Sequence, residues 1–149
     1  MDVDVSKSVI VVDDSSTMIH LVCDMLQKIG FQNIDAAQGG HTALAKLKAN
    51  RCDLMISDWN MEPMSGLDLL LALRGDPRHA DMLFIMMTTT AWTKKVIEAR
   101  VAGANNYILT PFDVLALKAK IVDVLAEQAE LESAQALQTG GIEQVASNW

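Results

Sequence analysis

The chain has 149 residues, half of them hydrophobic, which fits one compact domain with some tail left over. A formal net charge of −7 argues against nucleic-acid binding by this domain, which would need a basic footprint, and is compatible with a partner that has a basic surface. No apolar stretch reaches the ~18 residues of a membrane span, and the acidic start Met1-Asp2-Val3-Asp4 lacks the cationic lead of a secretory signal, so a cytoplasmic protein is expected.

Val9-Ile10-Val11-Val12 reads as a strand buried on both faces of a parallel sheet, and it stops at Asp13-Asp14. A helix follows from about Ser16 to Ile29, with Met18, Val22, Met25, Leu26 and Ile29 on one stripe and Gly30 at its end. A second strand is expected around Asn33–Ala36. Gly39-Gly40 then leads into a helix carrying Ala43, Leu44 and Leu47. Leu54–Ser57 is the third strand, closed by Asp58, and a long loop runs through Pro63 and Gly66 to a third helix over Leu67–Leu73. After the break at Asp76-Pro77, Met82–Met87 is a fourth strand ending in Thr88-Thr89-Thr90. A fourth helix spans about Thr93–Ala102 before Gly103, and Asn106–Leu109 is a short fifth strand ending at Thr110-Pro111. The fifth helix begins near Asp113 and presents Leu115, Leu117, Ile121, Val122 and Leu125. This βα alternation predicts a doubly wound α/β sheet with right-handed crossovers.

From Glu127 to Leu137 the composition turns to Ala, Glu and Gln, so the last helix is expected to continue past the core. Gly140-Gly141 is expected to break it, leaving Ile142–Trp149 as a polar tail. The domain is therefore read as 1–126, with 127–149 a helical extension and tail rather than a second domain.

Asp13, Asp14 and Asp58 all sit where apolar strands stop, and the carboxyl ends of strands are where open α/β sheets bind ligands. Converging carboxylates repel one another unless a cation lies among them, and oxygen-only donors point to Mg²⁺ or a similar hard ion. One carboxylate then remains to act as a nucleophile toward a phosphoryl group. Cys23 and Cys52 have no Cys or His neighbour at metal-ligand spacing and read as reduced thiols. His20, His41 and His79 form no nucleophile or ligand arrangement and are expected at the surface. Trp59 is expected as an exposed ring beside the site, and the nine methionines as core fillers. There is no Gly-rich phosphate loop and no Ser/His/Asp triad.

Taken together, VIVVDDSSTM at 9–18, LMISDWNM at 54–61, MMTTT at 86–90 and NNYILTPFD at 105–113 resemble the receiver domain of two-component response regulators, of the single-domain CheY-like type. The likeness runs without obvious gaps from about Lys7 to Leu125. It implies a flavodoxin-like three-layer sandwich whose parallel five-stranded sheet has the order 2-1-3-4-5. It also implies a signalling switch rather than a conventional enzyme, catalysing only its own phosphorylation and dephosphorylation. By this resemblance Asp58 is the phosphoacceptor, and Asp13 and Asp14 hold Mg²⁺ together with Asp58 and the backbone carbonyl of Asn60. Thr88 is the hydroxyl that contacts the phosphate, and Tyr107 is the aromatic switch. The implied partners are a histidine kinase or phosphotransfer protein as donor, and a target protein on the face of the fourth helix, fifth strand and fifth helix. The C-terminal helix offers a surface for a homodimer.

Two positions depart from the pattern. The family's lysine before the proline that follows strand five is here Thr110, short and neutral, which puts the coupling of phosphate to the switch in doubt. Glu62 stands where a proline is usual, with Pro63 one place later. The leading reading is a stand-alone phosphorylatable switch. The alternative, favoured by Thr110 and the extended helix, is a degenerate receiver that acts as an interaction or dimerisation module without phosphate control. An aspartyl-phosphate phosphatase would want a second Asp two residues after the nucleophile, where this chain has Asn60.

Overall fold

The computed structural model describes residues 3–147, with side chains described for residues 3–137. Five strands alternate with five helices: β1 (Val9–Val12), α1 (Ser16–Ile29), β2 (Ile34–Ala37), α2 (Gly40–Ala49), β3 (Leu54–Asp58), α3 (Gly66–Arg74), β4 (Leu83–Thr88), α4 (Thr93–Ala102), β5 (Asn106–Leu109) and α5 (Val114–Ser147). All neighbouring strands are parallel, in the order β2-β1-β3-β4-β5. The expected flavodoxin-like sandwich is therefore the observed fold.

The two-residue period of the strands divides the core. Val9, Val11, Leu54, Ile56, Leu83, Ile85 and Met87 face α1 and α5, where they meet Val22, Leu26, Leu117, Ile121 and Val124. Ile10, Val12, Met55, Phe84 and Met86 point the other way, toward Ala43, Leu47, Leu69, Leu70, Leu73 and Ala99 of α2, α3 and α4. Buried on both faces, these strands have no polar alternation to show, which is why they read as continuous apolar runs.

The register determines where the site forms. Val12 pairs with Ser57, Asp58 with Met87 and Thr88 with Leu109. The residues that end or follow these strands, Asp13, Asp58, Thr88 and Thr110, therefore gather at one edge of the sheet.

Two expectations are corrected. The helix α5 does not break at Gly140-Gly141 but continues to Ser147. A helical glycine costs about 1 kcal/mol relative to alanine, yet it keeps its N–H and clashes with nothing, so it weakens a helix without ending it. His79 is buried, at 6% exposure, whereas His20 and His41 are exposed as expected. The turn after α3 folds His79 inward: its N–H donates to the Asp76 carbonyl, and its own carbonyl accepts from Met82 N–H. Arg74 fixes that turn, donating to the carbonyls of His79, Ala80 and Gly103 and to Asn105 Oδ1. No helix among the described residues is long and apolar enough to cross a membrane.

Candidate functional site

β1 delivers Asp13 to the sheet edge, where its N–H donates to the Ala37 carbonyl. The residue is only 3% exposed, and its carboxylate accepts from Ser15 N–H at 2.9 Å. Ser15 caps α1, its hydroxyl accepting from Met18 N–H. The helix start is thus served by Ser15, and Asp14 stands exposed beside the site rather than capping the helix. β3 delivers Asp58, half-buried, and the next residue is tied to β4 by the Trp59 N–H to Met87 carbonyl bond.

Asp13, Asp14 and Asp58 each offer a carboxylate oxygen, and these oxygens lie within 4.8 Å of one another. The ion pairs of the described residues, Lys28–Asp24, Lys46–Asp35 and Arg78–Asp76, include none of the three. Burial pushes the Asp58 carboxyl up to about 6, and the charges of Asp13 and Asp14 add to the rise against the opposing backbone N–H groups of Trp59 and Asn60. Burial likewise raises Asp13. Hard oxygen donors that are crowded, partly desolvated and, among the described residues, in no ion pair make a donor set that fits Mg²⁺.

Thr88 ends β4 and is buried. Its hydroxyl accepts from Thr90 N–H at 3.2 Å, within the loop that leads to α4. Thr110 is bound back to the same strand, its N–H donating to the Thr88 carbonyl at 2.8 Å and its hydroxyl to that carbonyl at 3.4 Å. Asn60 is exposed just past Asp58. Tyr107 lies on β5, half-buried against the α2–α3–α4 side, with Lys120 Nζ 5.0 Å from its ring centroid. The structure thus brings the three aspartates into one cluster with Thr88 at the adjoining strand end, and leaves Tyr107 on the flank.

Trp59 is corrected: the ring is buried, at 7% exposure, among the residues of the α2–α3–α4 core. Lys95, in the first turn of α4, places its Nζ 4.6 Å from the ring centroid. Sequence reasoning missed this contact, because it joins residues from different elements. It also passed over Gly66, the first residue of α3. A Cβ there would run into the carbonyl oxygen of Asp58 and stand 2.9 Å from both Met86 Sδ and Trp59 Cα. The available signal was the start of α3, where Ser65 and Asp68 form a reciprocal capping box.

A parallel five-stranded sandwich with an acidic cluster at its carboxyl edge defines a class. Residues 9–122 match the response regulator receiver domain family, and the chain belongs to it. Within that family the chain is CheY-like. It is 41% identical to the chemotaxis protein CheY of Pseudomonas aeruginosa over 113 residues, covering 76% of this chain and 91% of that protein. It is 43% identical to the chemotaxis protein CheY1 of Helicobacter pylori over 117 residues, covering 78% of this chain and 94% of the other. Among solved structures it resembles the Vibrio cholerae chemotaxis protein CheY4, with a TM-score of 0.75 at 31% identity, covering 80% of this chain and 98% of that one. It also resembles the signal receiver domain of a signal transduction histidine kinase from Syntrophus aciditrophicus, with a TM-score of 0.74 at 26% identity over 82% of this chain and 92% of that one.

Proposed function

We propose that the chain is a stand-alone receiver that takes a phosphoryl group on Asp58 from a phosphohistidine of a histidine kinase or phosphotransfer protein and signals by protein contact. The cluster of Asp13, Asp14 and Asp58, with carboxylate oxygens within 4.8 Å of one another, carries this reading. Asp58 Oδ attacks the phosphorus: an O–P bond forms, and the donor's P–N bond breaks with its electron pair on the imidazole nitrogen, which then takes a proton. Asp13, Asp14, Asp58 and the backbone carbonyl of Asn60 would hold Mg²⁺, which supplies positive charge against the phosphoryl oxygens when bound. Thr88 turns its hydroxyl from Thr90 to a phosphoryl oxygen, and Tyr107 follows as the switch.

The output surface is the face of α4, β5 and α5, and the support for it is exposed apolar area: Val101 is 83% exposed and Leu115 76%, with Trp92, Ile97 and Leu109 also exposed. The relatives named for chemotaxis favour motility control in the cytoplasm as the pathway, with a phosphorelay as the other route. The receiver unit is 1–126, and the extension beyond it, with Leu131 and Leu137 exposed, is a surface for a homodimer.

Thr110 favours a second reading, a receiver that binds partners regardless of phosphate, since its hydroxyl is neutral and tied to the Thr88 carbonyl. The two readings separate in one experiment. With Mg²⁺ and a small acyl-phosphate donor, wild type gains one phosphoryl mass and Asp58→Ala gains none; a wild type that gains none leaves the second reading standing.

A further inference from the structure

A phosphoryl group on Asp58 brings about two negative charges to a site that already holds Asp13 and Asp14, so one divalent cation leaves about two charges uncompensated. The strand-end residue Thr110 offers no charge, and its hydroxyl is already engaged with the Thr88 carbonyl. A cation does lie against the residue that follows Asp58. The Lys95 ammonium sits 4.6 Å from the centroid of the ring of Trp59, the residue covalently next to Asp58. That ring is buried at 7% exposure, and the backbone N–H of Trp59 donates to the Met87 carbonyl, which ties the residue carrying the ring to β4 beside Asp58.

We propose that Lys95 is the counter-cation of the phosphorylated site, held on the Trp59 face before phosphorylation and transferred to a phosphoryl oxygen afterwards. This rests on the phosphoacceptor reading of Asp58. An aromatic face attracts an ammonium through its quadrupole only, and a nearby dianion attracts it more strongly. The flexible four-carbon stem of a lysine lets its ammonium exchange one partner for another. Lys94, the exposed neighbour, projects about 100° away around the helix and serves as a control that carries the same charge. Lys95 makes and breaks no bond; it positions and neutralises.

The test uses the full chain and beryllofluoride, a phosphoryl mimic, with Mg²⁺ saturating. Affinity is read by calorimetry, and ring contact by tryptophan emission in a Trp92→Phe, Trp149→Phe background that leaves Trp59 alone. Lys95→Gln weakens beryllofluoride binding about tenfold, the equivalent of about 1.4 kcal/mol. Lys95→Arg restores it to within about twofold, as the retained charge requires. Lys94→Gln leaves it unchanged, and in the parent, beryllofluoride changes the Trp59 emission as the ammonium leaves the ring. Wild-type affinity in Lys95→Gln, or an equal loss in Lys94→Gln, overturns the proposal while the phosphoacceptor reading stands. If the parent neither binds beryllofluoride nor gains phosphoryl mass from an acyl-phosphate donor, the phosphoacceptor reading fails and the proposal falls with it.

Discussion

Asp58 is where electrostatics and stability meet. Its carboxyl is pushed up to about 6 in the fold from an ordinary 3.8, because burial and two neighbouring carboxylates disfavour its charge. A raised value means that the folded state binds the proton more tightly than the unfolded one. The stabilisation is therefore complete below about 3.8 and is lost as pH rises through about 6. Without Mg²⁺, Asp58→Asn should unfold a few degrees higher than wild type at pH 7.5, and the gap should narrow to about half by pH 5. Thermal scans in chelator at both pH values check this; a gap that does not depend on pH would contradict it. Mg²⁺ should raise the wild-type midpoint more than that of the variant. The three aspartates were legible in the sequence because a strand-end carboxylate is a local pattern. The burial of Trp59 and His79 was not, because each depends on how a loop folds back on distant elements. The contact between Lys95 and Trp59 likewise joins residues 36 positions apart.

Among the elements, α3 governs the site most directly through its first residue. Gly66 lies against the Asp58 carbonyl, and its N–H donates to the Trp59 carbonyl at 2.9 Å. Gly66→Ala forces that backbone apart, so it should cost about 2–3 kcal/mol in denaturant melts and also slow phosphorylation. The far end of α3 is fixed by Arg74, whose guanidinium holds the turn after it and the loop between α4 and β5 through the carbonyls of His79, Ala80 and Gly103. Arg74→Leu should cost about 2–3 kcal/mol, since several carbonyls lose donors together, while leaving the kinetics of phosphorylation close to wild type. Nearly every strand and helix was placed from the sequence to within a residue or two. The end of α5 is the exception: Gly140-Gly141 reads as a stop, whereas glycine only lowers helix propensity and the helix continues to Ser147.

At the scale of the whole molecule, the acidic cluster occupies one edge of the sheet and exposed apolar residues gather on a different face. The exposed Trp92, Ile97, Val101, Leu109 and Leu115 border α4, β5 and α5, and Tyr107 of β5 packs half-buried against the α2–α3–α4 core. The residues of α5 that fill the core end at Val124 and Leu125. Removal of residues 127–149 should therefore leave folding and phosphoryl uptake intact and abolish any self-association made through Leu131 and Leu137. Sedimentation and mass measurements on the truncated chain check both parts. The alternation of strands and helices made the fold legible, but nothing local in the sequence marks which face carries the output. The central claim, an acidic cluster that makes Asp58 a phosphoacceptor, is tested most directly by the intact mass after treatment with an acyl-phosphate donor, with and without chelator. One added phosphoryl group on wild type with Mg²⁺, and none with chelator or in Asp58→Ala, is the predicted result. Unmodified wild type in Mg²⁺, or equal modification of Asp58→Ala, would contradict it.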